Sequence, residues 1–289
     1  MKKIRQLIEF LIVLIIFSFL KLIPINLVSV LGGKFFKIIG PYTRSHNVAL
    51  NNYKRIFKNI NEKQIKKDVA KSWENLGKTF IEFSIIDKIL KNKNNRIKII
   101  GKKNIEKIKE NNEQVIFFGI HQANWELLVP TITNQNISLG AIYRHINNPF
   151  IDEYILNIRK KTILKSKSFF TPKGKESAKD IIEAINKNLS MLLLIDQKDT
   201  AGKNINFFNI NTKTQTGFLK IARKYKLRLL PVQTIREKIN NFSIIFHPAI
   251  NIFDGDLSDD EAMKKVHGII EKWILEKPSQ WFWQHKRFD

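Results

Sequence analysis

His121 and Glu126 stand five residues apart, directly after an apolar run from Val115 to Ile120. An imidazole beside a carboxylate can move a proton at neutral pH. On one continuous helix, residues five apart are turned by about 140° and do not face each other. Across a strand-to-helix turn they can meet, and the carboxylate then holds the imidazole in one tautomer as a general base. The same residues also have a plain structural reading: a satisfied histidine beside a solvated glutamate at a helix start. Spacing alone leaves both open.

The run before His121 is short and apolar on both faces, as a buried parallel strand is. Asn124 can cap a helix that opens with Trp125 and Glu126. His121 is then expected at the carboxyl end of a central strand, with Glu126 in the first turn of the next helix. Residues 34–90 read as helices, with Trp73, Leu76, Phe80 and Phe83 at helical spacing. A polar break, Asn92 to Arg96, precedes an alternation of elements. Strands are expected at 97–100, 115–120, 137–143, 191–195, 228–234 and 242–246. Helices are expected at 104–111, after Asn124, and at 148–161, 176–188, 215–225 and 259–275. This pattern predicts an α/β fold with a mainly parallel mixed sheet flanked by helices.

In such sheets ligands collect at the carboxyl ends of strands. Three strand exits carry polar candidates: His121, then Asp196 with Gln197, then Tyr143 with Arg144, with Arg159 on the helix that follows. Singly, Asp196 reads as a turn cap and the arginines as surface cations. Together at one edge they argue for a site.

Lys and Arg outnumber Asp and Glu by 50 to 26. A basic surface suits anionic lipid headgroups and acidic protein partners. No zinc-finger, RNP-like or basic-zipper pattern points to nucleic acid, so no nucleic-acid partner is expected. Without cysteine there is no disulfide, thiolate zinc site or thiol nucleophile. The six histidines show no metal-binding pairing, so no metal is expected.

The amino end, Met1-Lys-Lys-Ile-Arg5, leads into an apolar stretch from Phe10 to Leu20, bounded by Glu9 and Lys21. That uncharged run is shorter than the roughly twenty residues that cross a bilayer. No small-residue cleavage site follows. Residues 1–31 are expected to be a retained membrane-anchor helix inserted at or part-way through the membrane, with the basic end cytoplasmic; the alternative is a buried core helix. Residues 32–289 form the second expected unit.

Several segments resemble the lipid A late acyltransferases, the lauroyl/myristoyl branch of the lysophospholipid acyltransferase superfamily. His121-Gln-Ala-Asn-Trp-Glu126 is similar to that branch's H-x4-E box, with Gln122-Ala123 where the box usually has Phe-Gly. Tyr143-Arg144-His-Ile-Asn147-Asn148-Pro149 resembles its YR-x-x-NNP segment, and Asp196-Gln197 its DQ motif. Thr214-Gln-Thr216-Gly217 resembles its TTTG-like helix start. Pro278-Ser-Gln280-Trp281-Phe-Trp283-Gln-His285-Lys286-Arg287-Phe288 resembles its closing PEQYLW-x-HRRF. Arg44, Asn47 and Trp73-Glu-Asn75-Leu76-Gly77 also fit. The family's PFFG loop appears as Asn206-Phe207-Phe208-Asn209, without the Pro and Gly.

The resemblance implies a glycerolipid-acyltransferase-like fold and acyl transfer from an acyl-thioester to a hydroxyl of a lipid A precursor or related glycolipid. It implies acyl carrier protein as donor partner (acyl-ACP or acyl-CoA as co-substrate, no cofactor) and a catalytic domain on the cytoplasmic face of the inner membrane. His121 and Glu126 become the catalytic pair, with Arg159 and Asp196 as further catalytic residues. Tyr143, Arg144, Asn148 and Gln197 become substrate-binding. Two rivals remain: the same chemistry on another glycolipid or aminolipid, and a non-catalytic basic protein bound at the membrane surface.

Overall fold

The computed structural model describes residues 1–91, 95–253 and 257–289, with the backbone alone at 175, 176 and 178. Helices come first: α1 (Lys2–Leu20), α2 (Ile25–Ile39), α3 (Arg44–Ile56), α4 (Glu62–Glu82) and α5 (Ile86–Leu90). Strands and helices then alternate through β1 (Ile97–Ile100), α6 (Lys102–Glu110), β2 (Val115–Gly119) and α7 (Leu128–Thr133). There follow β3 (Leu139–Tyr143), α8 (Pro149–Lys161), β4 (Phe169–Pro172), α9 (Lys175–Asn186) and β5 (Ser190–Leu194). A hairpin of β6 (Lys203–Phe207) and β7 (Ile210–Thr214) precedes α10 (Gly217–Lys224), β8 (Arg228–Lys238), β9 (Asn241–Phe246) and α11 (Asp259–Glu276).

Among the described residues the main sheet has seven strands in the order β1-β9-β8-β2-β5-β3-β4. Every neighbouring pair is parallel except β8 with β9. The expected mainly parallel mixed sheet is therefore present. β2 lies inside it, between β8 and β5, and all of its residues are buried. Successive side chains on a strand point to opposite faces. Ile116 and Phe118 accordingly join one core with Trp73 and Trp273. Val115 and Phe117 join the other with Phe17 and Ile86.

Two strand segments carried too little signal in the sequence. β4 is a short edge strand ending in Pro172, where a missing N–H costs no ladder bond. The β6–β7 hairpin is Lys- and Asn-rich, yet Ile205, Phe207, Thr212 and Thr214 are buried in strict alternation. The segment expected as a loop, Asn206 to Asn209, spans the turn of this hairpin, with Phe208 and Asn209 at φ 53° and 58°. The polar break expected at Asn92 to Arg96 falls partly outside the described residues, at 92–94.

At the amino terminus the first two helices pack on the rest of the chain. Among the described residues no helix is long and apolar enough to cross a membrane. α1 carries Lys2, Lys3, Arg5 and Glu9, and one side of it belongs to the body of the protein. Phe10 stacks on Phe150 of α8 at 6.1 Å, and Phe17 and Leu20 are buried. The boundary expected at residue 31 falls inside α2, which packs closely on α4. A Cβ on Gly77 would sit 2.3 Å from the Gly32 carbonyl oxygen, so backbone touches backbone there. The other sides of both helices are apolar and open: Ile15 and Phe19 on α1 are 68% and 62% exposed, and Leu27, Phe35 and Ile38 on α2 are also exposed.

Candidate active site

β2 and β5 are parallel neighbours, with Gly119 level with Leu194. Two residues past these lie His121 and Asp196, so the strand order alone brings an imidazole and a carboxylate to the same point of the sheet edge. His121 Nδ1 and Asp196 Oδ1 are 2.8 Å apart. The His121 backbone N–H donates to Asp196 Oδ2 at 3.1 Å, and Trp281 Nε1–H donates to the same oxygen at 2.7 Å. Asp196 is 2% exposed. Burial pushes its carboxyl upward, but the facing His121 and these donated hydrogen bonds outweigh that and hold it below the ordinary value. A carboxylate accepting from Nδ1–H fixes the imidazole tautomer and leaves Nε2 with its lone pair free to take a proton. The Gln197 side-chain amide lies 3.3 Å from that Nε2, and the rings of Trp125 and Phe282 flank the imidazole at 5.1 and 6.1 Å.

Glu126 is hydrogen-bonded to Arg159. It lies in a 3-10 turn, Trp125–Leu127, and both of its oxygens accept from Arg159, Nε at 2.9 Å and Nη2 at 2.6 Å. The planar guanidinium matches the carboxylate fork, while His121 Nδ1 is already taken by Asp196. Burial works against the Arg159 charge, and the Glu126 carboxylate overcomes it and keeps the guanidinium protonated. The guanidinium also lies 5.8 Å from the Tyr143 ring and 5.7 Å from Phe83.

A strap from the carboxyl-terminal end closes over the back of this edge. Gln122 bridges to Trp281, the Phe282 N–H donates to the His121 carbonyl at 3.0 Å, and the Ala123 N–H donates to the Gln280 carbonyl at 2.9 Å. The Lys198 N–H donates to His285 Nε2 at 2.9 Å.

The model of the bacterial lipid A biosynthesis acyltransferase family matches residues 1–289. The chain belongs to that family. It is 22% identical over 277 residues to the lipid A biosynthesis palmitoleoyltransferase of Escherichia coli (strain K12), covering 92% of this chain and 86% of the relative. The lipid A biosynthesis acyltransferase of Shigella flexneri matches to the same extent. A solved structure, the 1-acyl-sn-glycerophosphate (LPA) acyltransferase PlsC from Thermotoga maritima, aligns with a TM-score of 0.43 at 15% identity, covering 89% of this chain and 98% of its own.

This lipid A acyltransferase is thus an O-acyltransferase, and its expected site residues fall into two groups. His121, Asp196 and Gln197 form one contact set, and Glu126, Arg159 and Tyr143 form another. Arg144 is exposed beside Tyr143 and near enough to His285 to act on its charge. Asn148, expected to bind substrate, instead caps α8. Its Oδ1 accepts from the Phe150 and Ile151 N–H groups at 3.1 and 3.4 Å, and its Nδ2 donates to the Gln6 carbonyl and the Glu9 carboxylate. Its amide is spent on the α1–α8 junction.

Asn124 makes no side-chain cap. Its Nδ2 donates at 2.8 Å to Glu82, a fully buried carboxylate at the end of α4 that is paired with Arg236 of β8. Trp281, Gln280 and Glu82 were not singled out from the sequence as site residues. The Trp- and Gln-rich closing segment was visible, and so was the Asn75 stretch that hydrogen-bonds to it at Gln280. Neither announces what it touches.

Proposed function

We propose that this acyltransferase moves a fatty acyl chain from an acyl-thioester on acyl carrier protein to a hydroxyl of a lipid A precursor, with His121 as general base and Asp196 as its orienting carboxylate. His121 Nε2 takes the hydroxyl proton as the oxygen attacks the thioester carbonyl. Asp196 stabilises the imidazolium, the thiolate leaves, and the proton passes from His121 to the leaving sulfur, which restores the enzyme. The observation that carries this is the 2.8 Å His121–Asp196 contact at adjacent strand exits. A positioned base of this kind is worth roughly 10²–10⁴-fold. The Glu126–Arg159 pair walls the site beside Tyr143, and we assign it to holding substrate rather than to moving the proton.

Family membership supports a lipid A acceptor. The acidic carrier donor is supported by the excess of Lys and Arg and by Lys160 and Lys161, exposed beside Arg159 in the last turn of α8. Exposed charges act mainly on encounter rate and are screened beyond about 8 Å at physiological salt. The test is product analysis by mass spectrometry with purified enzyme, a lipid A precursor and either acyl-carrier or coenzyme A thioester. One new acyl ester on the precursor is expected, formed faster from the carrier donor. Lys160→Glu with Lys161→Glu should lower kcat/KM for the carrier donor on the order of tenfold at low salt, with the difference shrinking at high salt. No acylated precursor from either donor overturns the acceptor, and a salt-independent response overturns the carrier assignment.

We further propose that the protein docks on the cytoplasmic face of the inner membrane through the open apolar sides of α1 and α2 rather than by spanning it. A cavity of about 460 Å³ at the α1–α2 turn, lined by Leu22 to Ile25 with Lys88, Lys91 and Arg96, supports an anionic interface there. Ile15→Asp with Phe19→Asp should weaken sedimentation with anionic vesicles by about tenfold or more, since each buried apolar side chain contributes about 1.5–3 kcal/mol. The melting temperature should hold, because both side chains face outward. Unchanged vesicle binding would remove this docking face.

A further inference from the structure

Four parts of the chain meet at one buried carboxylate. Glu82 Oε1 accepts from the Ser29 hydroxyl of α2 at 2.7 Å and from Arg236 Nη1. Glu82 Oε2 accepts from Arg236 Nη2 at 2.9 Å and from Asn124 Nδ2 at 2.8 Å. Arg236 also donates to Asn75 at 3.0 Å and to the Thr79 hydroxyl at 3.2 Å. Withdrawing two charges from water often costs more than their attraction returns, so such a pair is weak evidence of a purely stabilising role.

Three observations tie the pair to the loop behind His121. Asn124 is fully buried and its Oδ1 has no partner among the described residues, so its amide serves the loop through its one donation to Glu82. Ala123, also fully buried, has φ 51°, the left-handed region that is costly for any residue with a Cβ. Both of its backbone groups are held: the carbonyl accepts from the Thr79 hydroxyl at 2.6 Å and the N–H donates to the Gln280 carbonyl at 2.9 Å. The Gln280 side chain in turn grips both the N–H and the carbonyl of Arg236, each at 2.9 Å.

We propose that Glu82 and Arg236 are positioning residues for catalysis. Through Asn124 and Thr79 they lock the loop after His121 in a left-handed shape that it would not keep unaided. That lock sets where the imidazole stands. Through Ser29 the same carboxylate links this shape to the seating of α2, whose far side is open and apolar. The proposal rests on His121 being the base. A displacement of about 1 Å at a reacting group can cost on the order of 10²-fold in rate.

The test uses the full-length enzyme and single-turnover and steady-state rates. Asn124→Ala leaves Glu82 its bonds to Arg236 and Ser29, so the enzyme should stay folded with both KM values as in the wild type, its melting temperature lower by a few degrees for the lost buried hydrogen bond. Its kcat should fall about 10–100-fold. Adding Ala123→Gly should recover most of that loss, because glycine takes the left-handed shape without the clamp. A role confined to stability predicts that kcat stays intact while the melting temperature falls. That result, or no recovery with glycine, overturns the proposal. His121→Ala run alongside separates the two ideas. An active His121→Ala enzyme removes the base assignment and the proposal with it. An inactive one beside a fully active Asn124→Ala enzyme removes the positioning role alone.

Discussion

His121→Ala is expected to lower kcat by about 10²–10⁴-fold while leaving the protein folded. The rate falls because the group proposed to take the hydroxyl proton is gone. The fold survives because Asp196, although buried, keeps the Trp281 indole donor and the backbone N–H of residue 121. Asp196→Asn should lose much of the same factor for a different reason: an amide can present its NH₂ to Nδ1 and stabilise the wrong tautomer. Glu126→Gln should behave differently. It breaks a partly buried ion pair with Arg159, so it should raise KM and lower the melting temperature more than it changes the pH dependence of kcat. If the rates were reversed, with Glu126→Gln inactive at every substrate concentration and Asp196→Asn near wild type, the orienting carboxylate would be Glu126 after all.

The second large effect is on stability in acid. Burial lowers the His267 imidazole from 6.5 to about 4, with a further push from Arg287 against the bond to the Asn206 carbonyl. Burial also lowers His285 from 6.5 to about 4. Its Nε2 accepts the Lys198 N–H, a bond that protonation would break. Both side chains stay neutral in the folded protein while the unfolded chain takes up protons. Their contribution is therefore intact above pH 6.5 and is lost as pH falls from there towards 4. Asp196, held below its ordinary value, works in the same direction but only at still lower pH. At 1.36 kcal/mol per unit, and discounting His285 for partial exposure, the loss is on the order of 5 kcal/mol. That corresponds to a melting temperature about 10–20 °C lower at pH 4 than at pH 7. Thermal melts across this range check it, and His267→Gln, which can still donate to the Asn206 carbonyl, should flatten the curve. A melting temperature constant between pH 7 and 4 would mean that these histidines titrate normally.

Much of the fold could be read from the chain because burial leaves a local trace. β2 is apolar at every position from Val115 to Phe118, as a strand covered on both faces must be, and Ser258 with Glu261 forms the capping box that starts α11. The strand exits were equally plain, since Asp196 and Tyr143 follow apolar runs. What could not be read was which exit lies beside which. His121 and Glu126 are close in sequence, and that closeness drew attention to Glu126. The carboxylate that contacts the imidazole, Asp196, is 75 residues away and becomes a neighbour because β5 is inserted beside β2 in the sheet. The capping role of Asn148 was hidden for a related reason: a polar residue at a strand exit and a helix cap look alike until the bonds of its amide are seen. In the apolar amino-terminal stretch, hydropathy does not tell the side packed on α8 from the side left open.

Whether His121 and Asp196 act as one unit is decided by a double-mutant cycle on single-turnover acyl transfer. Four rates are needed: wild type, His121→Ala, Asp196→Asn and the double variant. Residues that work as a unit are not additive. The double variant is predicted to be no slower than His121→Ala alone, with Asp196→Asn already severely impaired. Losses that multiply, or an Asp196→Asn enzyme turning over at the wild-type rate, would mean that Asp196 does not serve His121.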